Sequence, residues 1–136
     1  MSRILGIDYG DSRVGLALSD PMKIIAKPFK TLSNNNDLLL DLKLLIDDND
    51  INQFVVGYPI NMKGESTPQT KKVDEFILLL EKKFNLPVIK IDERLSSVSA
   101  INSLVNQGIK TGHNKSKIDD TSAAIILQEF LDQSKG

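Results

Sequence analysis

The sequence predicts an α/β fold, a mixed five-stranded sheet flanked by helices on both faces. Two observations carry that expectation. Three extended segments with short links open the chain, which is the pattern of an antiparallel meander. After residue 37, helical and extended segments alternate, as they do where helical crossovers bring strands parallel. The resulting order over residues 1–136 is β-β-β-α-β-α-β-α-α, a length expected to form a single domain.

Each element follows from its residues. Arg3-Ile4-Leu5-Gly6-Ile7-Asp8 is an apolar strand that ends on a carboxylate, and a turn through Gly10 leads into a second strand over 13–19. Gly10 and Gly15 allow the turn and the close approach of other groups. Ile24-Ile25-Ala26 through Phe29 is a short third strand. Pro28 places it at a sheet edge, because proline cannot donate to a ladder. Asn34-Asn35-Asn36-Asp37 is rich in capping residues, and the helical pattern from Leu38 to Ile46 ends at Asp47-Asp48-Asn49-Asp50. Phe54-Val55-Val56-Gly57 reads as a short buried strand closed by Tyr58-Pro59, and residues 59–67 as a polar loop with Gly64 near its tip.

Thr67-Pro68 is a helix start, a cap residue followed by proline at the first helical position. That helix carries Val73, Phe76, Ile77, Leu80 and Phe84 at spacings of three and four, so one face is core. Asn85 and Pro87 stop it, and Val88-Ile89-Lys90-Ile91-Asp92 is the fifth strand. A helix follows over about 96–106, with Val98, Ile101, Leu104 and Val105 inward and Gly108 at its end. Residues 108–117 form a loop with two glycines and three lysines, and a final helix runs from about Lys117 to Asp132.

Composition excludes some classes. There is no cysteine, hence neither a disulfide framework nor a thiolate metal site. The apolar runs are far shorter than a membrane span, and the amino terminus enters a strand instead of a signal peptide. A cytoplasmic protein with no membrane partner is expected. The formal net charge of −1 argues against a protein that coats nucleic acid with its whole surface, but leaves room for a local basic patch.

The chemistry lies in the acids. An isolated buried charge is costly, so Asp8 at the end of an apolar strand calls for a metal or a hydrogen-bond donor. Asp92-Glu93 ends the fifth strand and Asp119-Asp120 opens the final helix. Ligands in such sheets bind beyond the carboxyl ends of the parallel strands, which gathers Asp8, the loop after Gly57 and Asp92-Glu93 at one edge. Hard divalent cations bind through a few carboxylates plus substrate phosphate, and two such ions stabilise both oxygens of an in-line displacement. The constellation therefore points to Mg²⁺ or Mn²⁺ and phosphodiester chemistry. Other roles are available to each residue. Asp8 can cap a hairpin and Glu93 can pair with Arg94. Ser116-Lys117-Ile118-Asp119 fits a capping box. Strand alternation leaves the choice between Asp92 and Glu93 open.

Arg13 and Arg94 follow the strand-end acids closely, and arginine suits phosphate because its planar fork donates two hydrogen bonds. They serve equally well as charge balance. Lys63, Lys71, Lys72, Lys110, Lys115 and Lys117 could line a groove around the site, although surface lysines commonly do no more than solvate. His113, the only histidine, sits in a glycine-bounded loop, where a surface role outweighs proton transfer.

Ile7-Asp8-Tyr9-Gly10 with Arg13-Val14-Gly15-Leu16-Ala17, Val55-Val56-Gly57-Tyr58-Pro59 with Gly64, Asp92-Glu93-Arg94-Leu95-Ser96, and Ile118-Asp119 with Ser122-Ala123-Ala124 and Ile126-Leu127-Gln128 together resemble the YqgF family. The four motifs follow in order over almost the whole chain. The resemblance implies an RNase H-like fold akin to the RuvC Holliday junction resolvases. It also implies a nuclease that matures the 5′ end of pre-16S ribosomal RNA, or a resolvase of branched DNA. It carries over Asp8, Glu93 and Asp119 as catalytic, metal-binding carboxylates and so favours Glu93 over Asp92. Asp120 is an extra acid beside Asp119 in the fourth motif. A monomer or weak homodimer is expected. Two other readings compete: a non-cleaving nucleic-acid-binding ribosome-assembly factor, and an actin-like ATPase, for which 136 residues supply only one of the two domains needed.

Overall fold

The computed structural model describes residues 2–61, 63–93 and 115–134, with side chains from 121 to 133 in the last segment. Five strands form one sheet: β1 (Arg3–Tyr9), β2 (Arg13–Ser19), β3 (Ala26–Ser33), β4 (Ile51–Tyr58) and β5 (Val88–Asp92), in the order β3-β2-β1-β4-β5. The helices are α1 (Leu38–Asn49), α2 (Pro68–Phe84) and α3 (Lys115–Ser134). β1–β2 and β2–β3 pair antiparallel, whereas β1–β4 and β4–β5 pair parallel. The expected meander followed by crossovers is present, and β1 lies at the centre.

Helices cover both faces. Strand alternation sends Leu5, Ile7, Val14, Leu16, Phe54 and Val56 to one side, where Leu38 and Leu42 of α1 and Val73, Phe76, Ile77 and Leu80 of α2 close over them. Ile4, Ala17, Val55 and Ile91 point the other way, onto Ala123, Ala124, Ile126, Leu127 and Leu131 of α3. The α2 start is as predicted. Thr67 and Thr70 form a reciprocal capping box, Pro68 takes the first helical position, and the Thr70 hydroxyl donates to the Pro59 carbonyl. Asn85 ends the helix in the left-handed region at φ 54°.

Several boundaries differ from expectation. β3 begins at Ala26 instead of Ile24, because the Asp20 carboxylate accepts the Ile24 and Ile25 amides at 2.8 and 2.9 Å and holds them in a turn. It then continues past Phe29 to Ser33 as an edge strand, with the ladder shifting register opposite Pro28. α1 runs past Ile46 to Asn49, since the aspartates of its last turn continue the helix and Asp50 caps it at φ 54°. β4 starts earlier, at Ile51. α3 starts at Lys115, two residues before the expected start at about Lys117, so Lys115 lies on a helix and not in a loop. The helix expected over 96–106, and Arg94, Lys110 and His113, lie outside the described residues. Among the described residues no helix is long and apolar enough to cross a membrane.

Candidate active site

The parallel strands β1, β4 and β5 end at one edge of the sheet. Asp8 is the penultimate residue of β1 and falls, with Ile4 and Gly6, on the face that α3 covers. Its antiparallel partner is Gly15, and one step beyond the Ile7–Val56 pair its parallel neighbour is Gly57. No side chain from either adjacent strand therefore crowds the carboxylate. The space above Gly57 is filled instead by the residue after β5 and by α3. A Cβ at Gly57 would lie 2.5 Å from Glu93 Oε1 and 2.6 Å from Ile126 Cδ1. Glycine here is a matter of room: it is the floor on which the Glu93 carboxyl rests beside Asp8.

Register separates Glu93 from Asp92. Ile89 and Ile91 pack on the α3 side, while Val88 packs on the other and Lys90 reaches Asp74 of α2. Continuing that alternation by one residue brings Glu93 to the face of Asp8 and sends Asp92 to the opposite one. Electrostatics agree. Burial, then the neighbouring Asp8 charge, then Asp92, push the Glu93 carboxyl up from its ordinary 4.5 to about 7.

Helix α3 reaches β1 closely because Gly6 has no side chain. A Cβ there would lie 2.7 Å from Leu127 Cβ and 3.0 Å from the Ala123 carbonyl. Gln128 reaches back to the loop before β3, accepting from the Ala26 amide at 2.9 Å and donating to the Ile24 carbonyl at 3.0 Å. The helix thus runs antiparallel to β1. One turn before Ala123, about 6 Å along the axis, is the Asp119 position. Asp8 stands two residues, about 7 Å, beyond Gly6 in the same direction. The backbone therefore brings the third predicted acid to the level of the first, although its side chain lies outside the described set. Among the described residues no group of three His, Asp or Glu side chains gathers closely enough to hold a metal ion.

The basic residues divide. Arg13 lies on the face of Asp8, two residues before Gly15 and paired with Ser33 of β3. Lys63 is exposed in the β4–α2 loop, which leaves the same sheet edge. Lys72 forms an exposed ion pair with Asp11 at the β1–β2 turn, 3.0 Å long, and Lys71 is exposed next to it. Lys115 and Lys117 begin α3. The sequence reading missed Gly57 as a floor, a role visible only once the parallel register sets it beside Asp8.

Comparisons with known proteins follow the geometry. The family model described as RuvX, Holliday junction resolvase, matches residues 2–133. A protein of Ruminiclostridium cellulolyticum named "Putative pre-16S rRNA nuclease" is 42% identical over 137 residues, covering 98% of this chain and 96% of that one. One of the same name from Desulfitobacterium hafniense is 38% identical over 130 residues, covering 96% and 92%. Among solved structures, T. thermophilus RuvC in complex with a Holliday junction substrate aligns with a TM-score of 0.60 at 12% identity, over 100% of this chain and 97% of that one. Fowlpox virus resolvase in complex with its substrate Holliday junction DNA gives 0.57 at 12%, over 98% and 99%. At such identities the structural likeness speaks for the fold, which is RNase H-like.

Proposed function

We propose, from the premise that this chain belongs to the RuvX family, that it is a metal-dependent nuclease hydrolysing phosphodiester bonds in structured nucleic acid, with 5′-end processing of pre-16S rRNA as its reaction. The observation that carries the reading is the Glu93 carboxyl seated over Gly57 beside Asp8. Two neighbouring, partly buried carboxyls are a poor place for two negative charges. They are a good place for a hard divalent cation, whose preferred donors are oxygens. Asp8, Glu93 and Asp119 would hold Mg²⁺ or Mn²⁺. When bound, such an ion would supply Lewis acidity toward a phosphoryl oxygen and make its bound water more acidic.

The chain's own groups do the rest. Glu93, titrating near 7, gives up its proton at neutral pH at little cost, so ligand binding and proton release at this carboxyl are coupled. Arg13 on the same face, Lys63 on the adjacent loop and Lys115 and Lys117 on α3 supply positive charge for backbone phosphates, with Arg94 directly after Glu93 in sequence. The substrate sits across the carboxyl ends of β1, β4 and β5. A nuclease of ribosomal RNA works in the cytoplasm, and the chain acts there as a monomer or weak homodimer. Junction cleavage is the second reading, favoured by the description of the matching family.

The test is cleavage of precursor 16S rRNA and of four-way junction DNA by the purified protein in Mg²⁺. The Asp8→Asn variant is expected to lose on the order of 10²–10³ in rate, the usual cost of removing one group that stabilises charge in a transition state. Cleavage at the wild-type rate by that variant overturns the assignment of Asp8. Binding that survives EDTA with no cleavage in any metal marks a non-cleaving assembly factor instead.

A further inference from the structure

The end of β1 at Tyr9 and the β1–β2 turn, Gly10 to Ser12, are held from outside the hairpin to a degree that the turn's short length does not require. Within the turn a single backbone bond closes the loop, from the Gly10 amide to the Arg13 carbonyl at 3.0 Å. The other attachments come from two distant segments. Gln69 Nε2, in the first turn of α2, donates to the Tyr9 carbonyl at 3.2 Å. Asn34, directly after β3, donates through Nδ2 to the Gly10 carbonyl at 2.7 Å and through its backbone amide to the Ser12 carbonyl at 2.9 Å. Lys72 reaches Asp11 at 3.0 Å, and Phe76 stacks on Tyr9 with ring centroids 4.3 Å apart.

Gln69, Lys72 and Phe76 stand at i, i+3 and i+7, so one stripe of α2 grips one side of the turn while Asn34 grips the other. The α2 end of this grip is itself fixed by the Thr67–Thr70 box and its bond to Pro59. The exposed Lys72–Asp11 pair contributes little by itself. The two amide side chains are only partly exposed and bind backbone carbonyls, whose positions follow directly from the backbone torsions next to Asp8.

We propose that Asn34 and Gln69 are positioning residues that fix the turn and thereby hold Asp8 against the Glu93 carboxyl. The inference rests on the reading of that carboxyl pair as a cation site. Site geometry must be held within about half an ångström, and loss of an outer partner of a ligand commonly costs about 10–100-fold in affinity or rate. A clamp built from two separate elements prevents the turn from swinging when substrate arrives.

The experiment titrates Mn²⁺ into the full-length protein by electron paramagnetic resonance and measures steady-state cleavage and thermal unfolding in parallel. Asn34→Asp keeps the side-chain shape but sets an acceptor against the Gly10 carbonyl. Gln69→Met keeps the length without a donor, and Gln69→Lys restores a donor. Asn34→Asp and Gln69→Met are each expected to weaken Mn²⁺ binding and lower kcat by about tenfold, with KM for nucleic acid within about twofold of wild type. Gln69→Lys is expected to recover most of both. Folded variants with wild-type Mn²⁺ affinity and kcat overturn the clamp, as does a loss that tracks melting temperature alone with no rescue by lysine. If Asn34→Asp does not fold, the Gln69 pair decides. A wild-type protein that binds no Mn²⁺ overturns the cation site and the clamp with it, whereas a wild type that binds while the variants bind equally well overturns the clamp alone.

Discussion

On one face of the sheet, α1 and α2 meet strands that present Leu5, Ile7, Val14, Leu16, Phe54 and Val56. On the other, α3 meets Gly6, Ala17 and Gly57 through Ala123, Ala124 and Ile126. The first face is filled with large side chains, and Asp74 of α2 bonds to Tyr58 and Lys90 there. On the second, Ile4, Val55, Leu127 and Leu131 are joined by glycines and alanines at the points of closest approach, so the helix backbone comes close at Gly6 and the Glu93 carboxyl finds room over Gly57. The larger apolar cluster lies on the first face and the proposed chemistry on the second. A site that forces like charges together is tolerable because the opposite layer supplies the apolar burial.

That division can be broken from either side. The largest effect is expected from Phe54→Ala, which empties the centre of the α1/α2 layer where Phe54 is fully buried. It should cost about 3–5 kcal/mol in chemical unfolding, while kcat per folded molecule stays at the wild-type level. A fall in kcat of the folded fraction would show that the two faces are not independent.

Glu93→Gln should do the reverse, stabilising the protein while abolishing cleavage. The folded carboxyl titrates near 7 against an ordinary 4.5, so between those values the folded state holds a proton that the unfolded state has lost. The contribution of this group to stability is complete below about 4.5, declines as pH rises through that window and levels off above about 7. Unfolding in EDTA should therefore show the glutamine variant equal to wild type near pH 4.5 and roughly 2–3 kcal/mol more stable at pH 8. Equal stability at both pH values would remove the charge conflict from the second face.

The smallest effect in stability belongs to Gly57→Ala, whose methyl would meet Glu93 Oε1 and Ile126 Cδ1. Overpacking of this kind costs about 1–3 kcal/mol. The expected signature is a loss of cleavage and of cation binding larger than the loss of stability, because the carboxyl has to leave its floor. A variant that melts lower but cleaves normally would mean that the floor serves packing only.

Much of this architecture is legible in the residues because it is local. Thr67-Pro68 sets the α2 start, and the apolar runs of β1, β2 and β5 set those strands to within a residue. Asp8 stands out because a charge at the end of an apolar strand needs a reason. Tertiary contacts are not legible in the same way. Ile24 and Ile25 look like strand residues, and only the Asp20 carboxylate, which takes both amides, removes them from the ladder. Glu93 parts from Asp92 only when Ile89 and Ile91 are seen to face α3. Gln69 and Asn34 carry no pattern at all, since their partners are backbone carbonyls 60 and 24 residues away.

The bond between Gln128 and the Ala26 amide joins positions 102 apart in the chain. Contacts of that separation form late, since a long loop must close before they return any free energy. β1 can pair with β2 and receive α1 and α2 while Gly6 is still bare and the Asp8 face still wet. Docking of α3 is therefore expected late in folding, and it brings the backbone at Asp119 to the level of Asp8. On the reading of Asp119 as a ligand, the site is completed by the element that arrives from farthest along the chain.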